Sequence, residues 1–143
     1  MRTREPRPGN GQFQWDTGGW FGAQIGSTLW VLIAALVLLP EHPVAGVIGL
    51  SCFLVPNIFG SILYLNRNRV APYPAIQWLI FVIGVFAVVF VVYLDLSALV
   101  QEIDSSLGSD QWGFYLVPIL FVGLMGLFHV MERKAVKKRK ETV

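Results

Sequence analysis

The run AIQWLIFVIGVFAVVFVVYL, residues 75–94, decides the fold of this chain. It offers 20 residues without a charged side chain, and a helix needs about 20 apolar residues to cross the roughly 30 Å hydrocarbon core of a bilayer. Three other charge-free runs reach a similar length, at about residues 20–39, 43–65 and 113–130. We therefore predict an all-α fold, an integral membrane four-helix bundle with these runs as its spans.

The composition of the whole chain excludes several other classes of protein. Of the 143 residues, 55% are hydrophobic and only 14% are charged, whereas soluble domains have about 25% charged residues. The single cysteine, Cys52, lies inside an apolar run and excludes a disulfide scaffold. The strands of a membrane β-barrel would be shorter and would alternate between apolar and polar residues.

The basic residues indicate how the spans are oriented. Lysine and arginine concentrate on the cytoplasmic side of short membrane loops. With four spans, all 11 of them fall on one side together with four acids, while the other side holds five acids: Glu41, Asp95, Glu102, Asp104 and Asp110. We predict that both termini are cytoplasmic and that the protein lies in the plasma, or inner, membrane.

The predicted organisation has three parts. A cytoplasmic tail covers residues 1–19, a transmembrane domain covers 20–130, and a basic cytoplasmic tail covers 131–143. In the loop between the third and fourth spans, apolar residues at helical spacing predict an amphipathic surface helix over about 96–106. These residues are Leu96, Leu99, Val100, Ile103 and Leu107. The surface helix either covers the outer end of the bundle as a lid or docks a partner subunit.

The polar residues of the spans form one candidate site. None of the four spans contains Asp, Glu, Lys or Arg, which argues against a proton-coupled transporter or a voltage sensor. Five uncharged polar residues fall in the cytoplasmic half of the predicted bundle: Gln24, Thr28, Asn57, Ser61 and Gln77. They either line a polar site that opens to the cytoplasm or form hydrogen bonds between helices.

Small residues mark two candidate packing faces. They are Gly18, Gly22 and Gly26 around the start of the first span, and Gly46, Gly49, Pro56 and Gly60 in the second. Spacing of four residues in the first span, and of three and four residues in the second, places these residues on one face and lets another helix approach closely, within the chain or from another chain. The proline predicts a kink in the second span.

Two further features are candidate ligand sites. His129 is the only histidine within a span and could ligate a haem iron or a chlorophyll-type magnesium, although the Cys-x-x-Cys-His attachment motif is absent. The basic tail offers six cations to anionic lipid headgroups at the cytoplasmic face: Arg133, Lys134, Lys137, Lys138, Arg139 and Lys140. We predict no resident cofactor or metal. We also predict no nucleic-acid partner, because the tail lacks a folded basic face with aromatic residues.

The sequence contains no recognisable catalytic motif: it has no Gly-x-Ser-x-Gly, no phosphate loop and no His-Glu-x-x-His. We therefore predict a non-enzymatic multi-pass membrane protein, an accessory or structural subunit that assembles with other membrane subunits or with itself. The alternative is a small channel or carrier for an uncharged or anionic solute that uses the polar site.

Overall fold

The fold of this chain is built from α-helices. The computed structural model describes residues 11–97, Leu99 and residues 112–141. The helices are α1 (Thr17–Leu38), α2 (Pro43–Leu65), α3 (Pro72–Leu96) and α4 (Trp112–Glu141). No strand occurs in this described part of the chain, and the prediction of an all-α fold is confirmed.

Local sequence signals set where the helices begin. The Asp16 carboxylate accepts a hydrogen bond from the backbone N–H of Gly19 at 2.5 Å and so caps α1. Pro43 and Pro72 stand in the first turn of α2 and α3, where the missing N–H of proline costs no helical hydrogen bond. The α3 helix therefore begins before the charge-free run 75–94, and it also continues past the end of that run.

The loop in which we predict a surface helix over 96–106 is described at few positions. Leu96, the first residue of the predicted surface helix, belongs to α3 and is its last residue. Leu99 is buried in a cluster with Leu38 and Ala45, so this part of the loop covers the end of α1 and the start of α2. Ser97 caps the end of α3, and positions 98 and 100–106 of the predicted surface helix lie outside the described residues.

The helices form a three-helix bundle with a fourth helix on its flank. The helices α1, α2 and α3 all pack against one another, whereas α4 packs against α3 alone among the described helices. Consecutive helices run antiparallel, because residues farther along one helix contact residues closer to the start of the next. The pairs are Trp20–Gly60 and Ala35–Gly49 for α1 and α2, Gly49–Phe90 and Gly60–Leu79 for α2 and α3, and Tyr73–His129 and Gly84–Phe121 for α3 and α4. The architecture therefore differs from a closed four-helix bundle, because α1 and α3 meet directly and leave α4 outside.

Three helices of the described chain, α1, α2 and α3, are long and apolar enough to cross a membrane. Their length and composition are those of a helical membrane protein. The fourth predicted span, 113–130, lies within α4, but several of its side chains lie outside the described residues, so the four-span topology stays a prediction. With 30 residues, α4 is about 45 Å long and exceeds the hydrocarbon core by about 15 Å.

The antiparallel order gives the molecule two distinct ends. One end of the molecule contains the start of α1, the end of α2, the start of α3 and the end of α4, and we call it the basic end. It carries Arg67, Arg69 and the basic residues at 133–140, whereas Glu41 and Asp95 lie at the opposite end. The fold therefore separates these basic residues from these two acids by the length of the helices.

Two apolar clusters hold the helices together. The cluster nearer the basic end comprises Trp20, Ala75, Leu79, Ile80, Ile83, Ala87 and Phe121. The cluster nearer the opposite end comprises Val31, Leu38, Ala45, Cys52, Phe90, Leu94 and Leu99. Trp30 packs against both clusters, and its ring centroid lies 6.2 Å from that of Phe90. Because lipid is as apolar as these side chains, the clusters stabilise the fold mainly through close packing.

Candidate interhelical polar site

Gln24 and Thr28 of α1 face Asn57 of α2, and the three residues form a hydrogen-bonded network. Gln24 Nε2 donates to the backbone carbonyl of Asn57 at 2.6 Å and to Asn57 Oδ1 at 3.1 Å. Asn57 Nδ2 donates to Thr28 Oγ1 at 2.9 Å, and Thr28 Oγ1 donates to the Gln24 carbonyl at 2.9 Å. Gln24 and Thr28 are 2% and 1% exposed. These polar side chains are therefore used to join α1 to α2.

Gly60 makes room for this network on α2. A Cβ atom at position 60 would lie 2.6 Å from Gln24 Oε1 and 2.8 Å from Leu79 Cδ1, which is closer than real contacts allow. The Gly60 carbonyl also accepts a buried hydrogen bond from Trp20 Nε1 at 3.1 Å. Glycine at this position therefore permits α1, α2 and α3 to meet at one level.

One polar atom of the network has no partner. Gln24 Oε1 is buried without a hydrogen bond among the described residues. Exchanging the amide oxygen and nitrogen would not help, because both contacts of Nε2 are to oxygen acceptors on Asn57. A buried acceptor without a donor costs about 1–3 kcal/mol.

The other two residues of the predicted polar site are placed differently. Ser61 Oγ donates to the Asn57 carbonyl on its own helix at 2.8 Å and adjoins the network. Gln77 Nε2 donates to the Met125 carbonyl at 3.2 Å and so joins α3 to α4. The structure brings Gln24, Thr28, Asn57 and Ser61 together and places Gln77 in another helix pair, because α4 lies on the flank.

The glycines of α2 are covered by neighbouring helices. A Cβ atom at Gly49 would lie 2.7 Å from Ala35 Cβ and 2.9 Å from the ring of Phe90. A Cβ atom at Gly46 would lie 2.7 Å from the Cα atom of Leu39. Pro56 is also buried in this face. The small residues of α2 therefore let α1 and α3 pack closely within the chain.

The glycines of α1 face away from the other helices. A Cβ atom at Gly22 or Gly26 would meet nothing within 4 Å, and one at Gly18 would meet only the side chain of Asp16 at 3.6 Å. All three glycines are exposed. This open glycine face on α1 has the spacing of a helix-packing motif but is unoccupied by the described chain.

His129 lies at the surface of α4 near the basic end. Its Nδ1 atom lies 2.6 Å from the hydroxyl of Tyr73, so the two side chains link α3 to α4. Among the described residues, no three His, Cys, Asp or Glu side chains come together as a metal site. The role of His129 as a haem or pigment ligand stays a prediction.

Glu132 is a contact that sequence reasoning missed. The Glu132 carboxylate is buried and accepts hydrogen bonds from the backbone N–H groups of Gln12 at 2.8 Å and Phe13 at 3.4 Å. The Phe13 ring lies 5.1 Å from Phe128 and 5.9 Å from Tyr73, measured between centroids. The segment before α1 therefore docks on α4, although the sequence places 1–19 and 131–143 in separate tails.

Trp15 extends this docking to the turn between α2 and α3. Its Nε1 atom donates to the Val70 carbonyl at 3.3 Å, and its ring lies 4.9 Å from Trp20 and 5.9 Å from Tyr64. The Tyr64 hydroxyl also hydrogen-bonds to Thr17. Residues 11–16 thus lie across the basic end and connect helices that do not otherwise touch. The tryptophan and tyrosine rings are the only signal that could have indicated this docking.

Comparison with known proteins gives no relative: no protein family, no curated protein and no solved structure matches the chain significantly.

Proposed function

We propose that this chain is a non-enzymatic multi-pass membrane protein, an accessory or structural subunit that assembles with other membrane subunits or with copies of itself. The observation that carries the proposal is the open glycine face of α1. The glycines of α2 have the same kind of spacing and are covered by helices of the same chain, whereas Gly18, Gly22 and Gly26 are not. A helix from another chain can approach α1 as closely as α1 and α3 approach α2.

The polar residues also support a structural role. Gln24, Thr28 and Asn57 bond to one another across α1 and α2, and such bonds in membranes contribute about 0.6 kcal/mol each. Their hydrogen-bonding capacity is directed into the bundle. The outward surface of α1 is apolar, with Ile25, Leu29 and Ile33 exposed. Assembly through this surface needs no additional polar contact.

The proposed orientation has four spans, with both termini in the cytoplasm and the protein in the plasma, or inner, membrane. The basic end supports it, because the end of α4 and the turn after α2 carry their lysines and arginines at the same end of the molecule. Anionic headgroups at the cytoplasmic surface attract such residues. The lipid bilayer is thus a proposed partner at this end.

The assembly is tested with Gly22→Leu. We expect the wild-type chain, extracted from its native membrane in mild detergent, to migrate in a species larger than the 16.0 kDa monomer. The Gly22→Leu variant should migrate as the monomer, because a Cβ atom at position 22 has nothing within 4 Å among the described residues and the leucine side chain blocks an incoming helix. Gly126→Leu is the matched control, since Gly126 on α4 is equally open. A wild-type chain that purifies alone as a monomer contradicts the proposal.

A small channel or carrier is the second candidate function, and one observation favours it. Gln24 Oε1 is a buried acceptor without a partner among the described residues, so it could accept a hydrogen bond from an uncharged solute near Asn57. Liposomes that contain the protein should then show a solute flux that Asn57→Leu abolishes. Equal flux with the wild type and the variant contradicts this function.

A further inference from the structure

A groove between α3 and α4 extends from the basic end toward the middle of the helices. It consists of three cavities of about 290, 410 and 400 Å³. Phe81 and Met125 line both the first and the second cavity, and Tyr73 lines both the second and the third. The three cavities therefore follow one another along the contact between α3 and α4, and we call this row of cavities the α3–α4 groove.

The part of the groove farthest from the basic end is apolar. Its walls include Val85, Val88 and Val89 of α3 and Phe121 and Val122 of α4. None of the residues that line this cavity has a polar side chain. This segment lies at the depth of the predicted spans, where the surrounding molecules are acyl chains.

The part of the groove at the basic end is cationic. Arg133, Lys137 and Lys140 line it together with Tyr73 and His129. Positions 137 and 140 follow position 133 by four and seven residues, so the three side chains share one face of α4. Lys134 and Lys138 fall on other sides of the helix by the same spacing. Three of the six basic residues of the tail therefore line the groove.

The acidic side chains near Arg133, Lys137 and Lys140 do not fully balance the positive charge of these three residues. Glu132 also lines the cavity, but its carboxylate already accepts the N–H groups of Gln12 and Phe13. Lys137 Nζ lies 3.9 Å from Glu141 in an exposed pair, which contributes little. Arg133 and Lys140 are the principal cations of the groove.

The length of the groove matches one leaflet of a membrane. Val122 and Arg133 are separated by 11 positions on a continuous helix, or about 16 Å along its axis. Half of the hydrocarbon core is about 15 Å thick. A molecule with an anionic head at Arg133 would therefore place an acyl chain of ordinary length beside Val122.

We infer that the α3–α4 groove binds an anionic phospholipid, with its headgroup phosphate at Arg133, Lys137 and Lys140 and an acyl chain along the apolar cavity. The inference rests on the proposed membrane orientation, which places the basic end at a lipid surface, but not on the proposed assembly, because a lipid can occupy this groove whether α1 binds a partner or not. The Tyr73 hydroxyl and His129 lie beside the headgroup position.

The test is lipid binding to the purified full-length chain, measured by native mass spectrometry with phosphatidylglycerol as the probe. We expect the wild type to retain a single phosphatidylglycerol and to bind phosphatidylcholine at least tenfold more weakly. The double variant R133Q/K140Q should lose affinity for phosphatidylglycerol by about tenfold or more, since each basic residue near a headgroup contributes appreciably. The matched control K134Q/K138Q removes the same charge from other sides of α4 and should change affinity less than threefold.

The apolar half of the groove is tested by Val85→Trp, which fills the cavity and should reduce retention of phosphatidylglycerol severalfold. Val85 is 42% exposed, lines the groove and belongs to neither apolar cluster, so the variant should fold. Equal losses in R133Q/K140Q and K134Q/K138Q overturn the inference, because they indicate only general charge attraction. Displacement of the lipid by millimolar inorganic phosphate also overturns it, since the site would then be one for a free anion.

Discussion

Gly49→Leu should destabilise the helical bundle by about 3 kcal/mol or more, the largest effect that we expect from one substitution. A Cβ atom at position 49 would already lie 2.7 Å from Ala35 Cβ and 2.9 Å from two ring atoms of Phe90. Leucine adds three more carbon atoms at the point where α1, α2 and α3 meet. Overpacking of a dense core costs about 1–3 kcal/mol and at times more, and here both neighbours are themselves buried.

The measurement is reversible unfolding of the purified protein in mixed micelles of increasing SDS content, followed by helical circular dichroism. Gly123→Leu is the control, because Gly123 on α4 has nothing within 4 Å of its Cβ position. It should change the free energy of unfolding by less than about 0.5 kcal/mol, as is usual for surface substitutions. Similar stability of both variants would show that α1, α2 and α3 do not meet at Gly49.

Asn57→Leu should lower the free energy of unfolding by about 1 kcal/mol. The substitution removes the bonds from Asn57 Nδ2 to Thr28 Oγ1 and to the Phe53 carbonyl, and it removes one of the two acceptors of Gln24 Nε2. The lost interhelical bonds contribute about 0.6 kcal/mol each on average. Gln24 Nε2 keeps its bond to the backbone carbonyl of residue 57, and Thr28 Oγ1 keeps its bond to the Gln24 carbonyl, so the loss is confined to these interhelical bonds.

The same SDS titration measures this effect against Ser51→Ala. Ser51 lies on α2 and is exposed, and its hydroxyl bonds only to the Val47 carbonyl of its own helix at 2.9 Å. Its loss should cost less than about 0.5 kcal/mol. If Asn57→Leu leaves stability unchanged or raises it, the polar network does not join α1 to α2, and a solute site at these residues becomes the better account.

The sequence predicts the helical segments well because the physical requirement is simple. A membrane helix needs a charge-free run of about 20 residues, and the runs 20–39, 43–65 and 75–94 lie in helices with bounds close to these. The differences at the helix ends come from capping. Asp16 and Pro72 can begin a helix before its apolar run starts.

The sequence does not reveal which small-residue face is used within the chain. Gly22 and Gly26 are four residues apart and Gly46 and Gly49 are three apart, and either spacing places both glycines on one helix face, yet only the second pair is covered by neighbouring helices. The choice depends on how each helix is rotated about its axis, and no local pattern encodes that rotation. Gln77 is a similar case, because its separation from Asn57 follows from the position of α4 outside the three-helix bundle.

The contact of Glu132 with residues 12 and 13 could not be predicted for a related reason. The Glu132 carboxylate binds backbone N–H groups of Gln12 and Phe13, and backbone groups leave no trace in the amino-acid sequence. An acidic residue within a basic tail is more simply interpreted as part of a solvated surface. Only the three-dimensional placement of α4 beside the start of α3 brings this carboxylate to the segment before α1.

Photo-crosslinking in native membranes, with a benzophenone amino acid in place of Leu29, tests the proposed assembly most directly. Leu29 is seven residues from Gly22, so it lies on the open glycine face of α1, and it is 44% exposed. Val55 on α2 is also 44% exposed and lies at a similar level, so it is the matched control. We predict a covalent adduct with a second protein chain from position 29 and none from position 55. Lipid adducts alone at position 29, or equal protein adducts at both positions, would contradict assembly through this face.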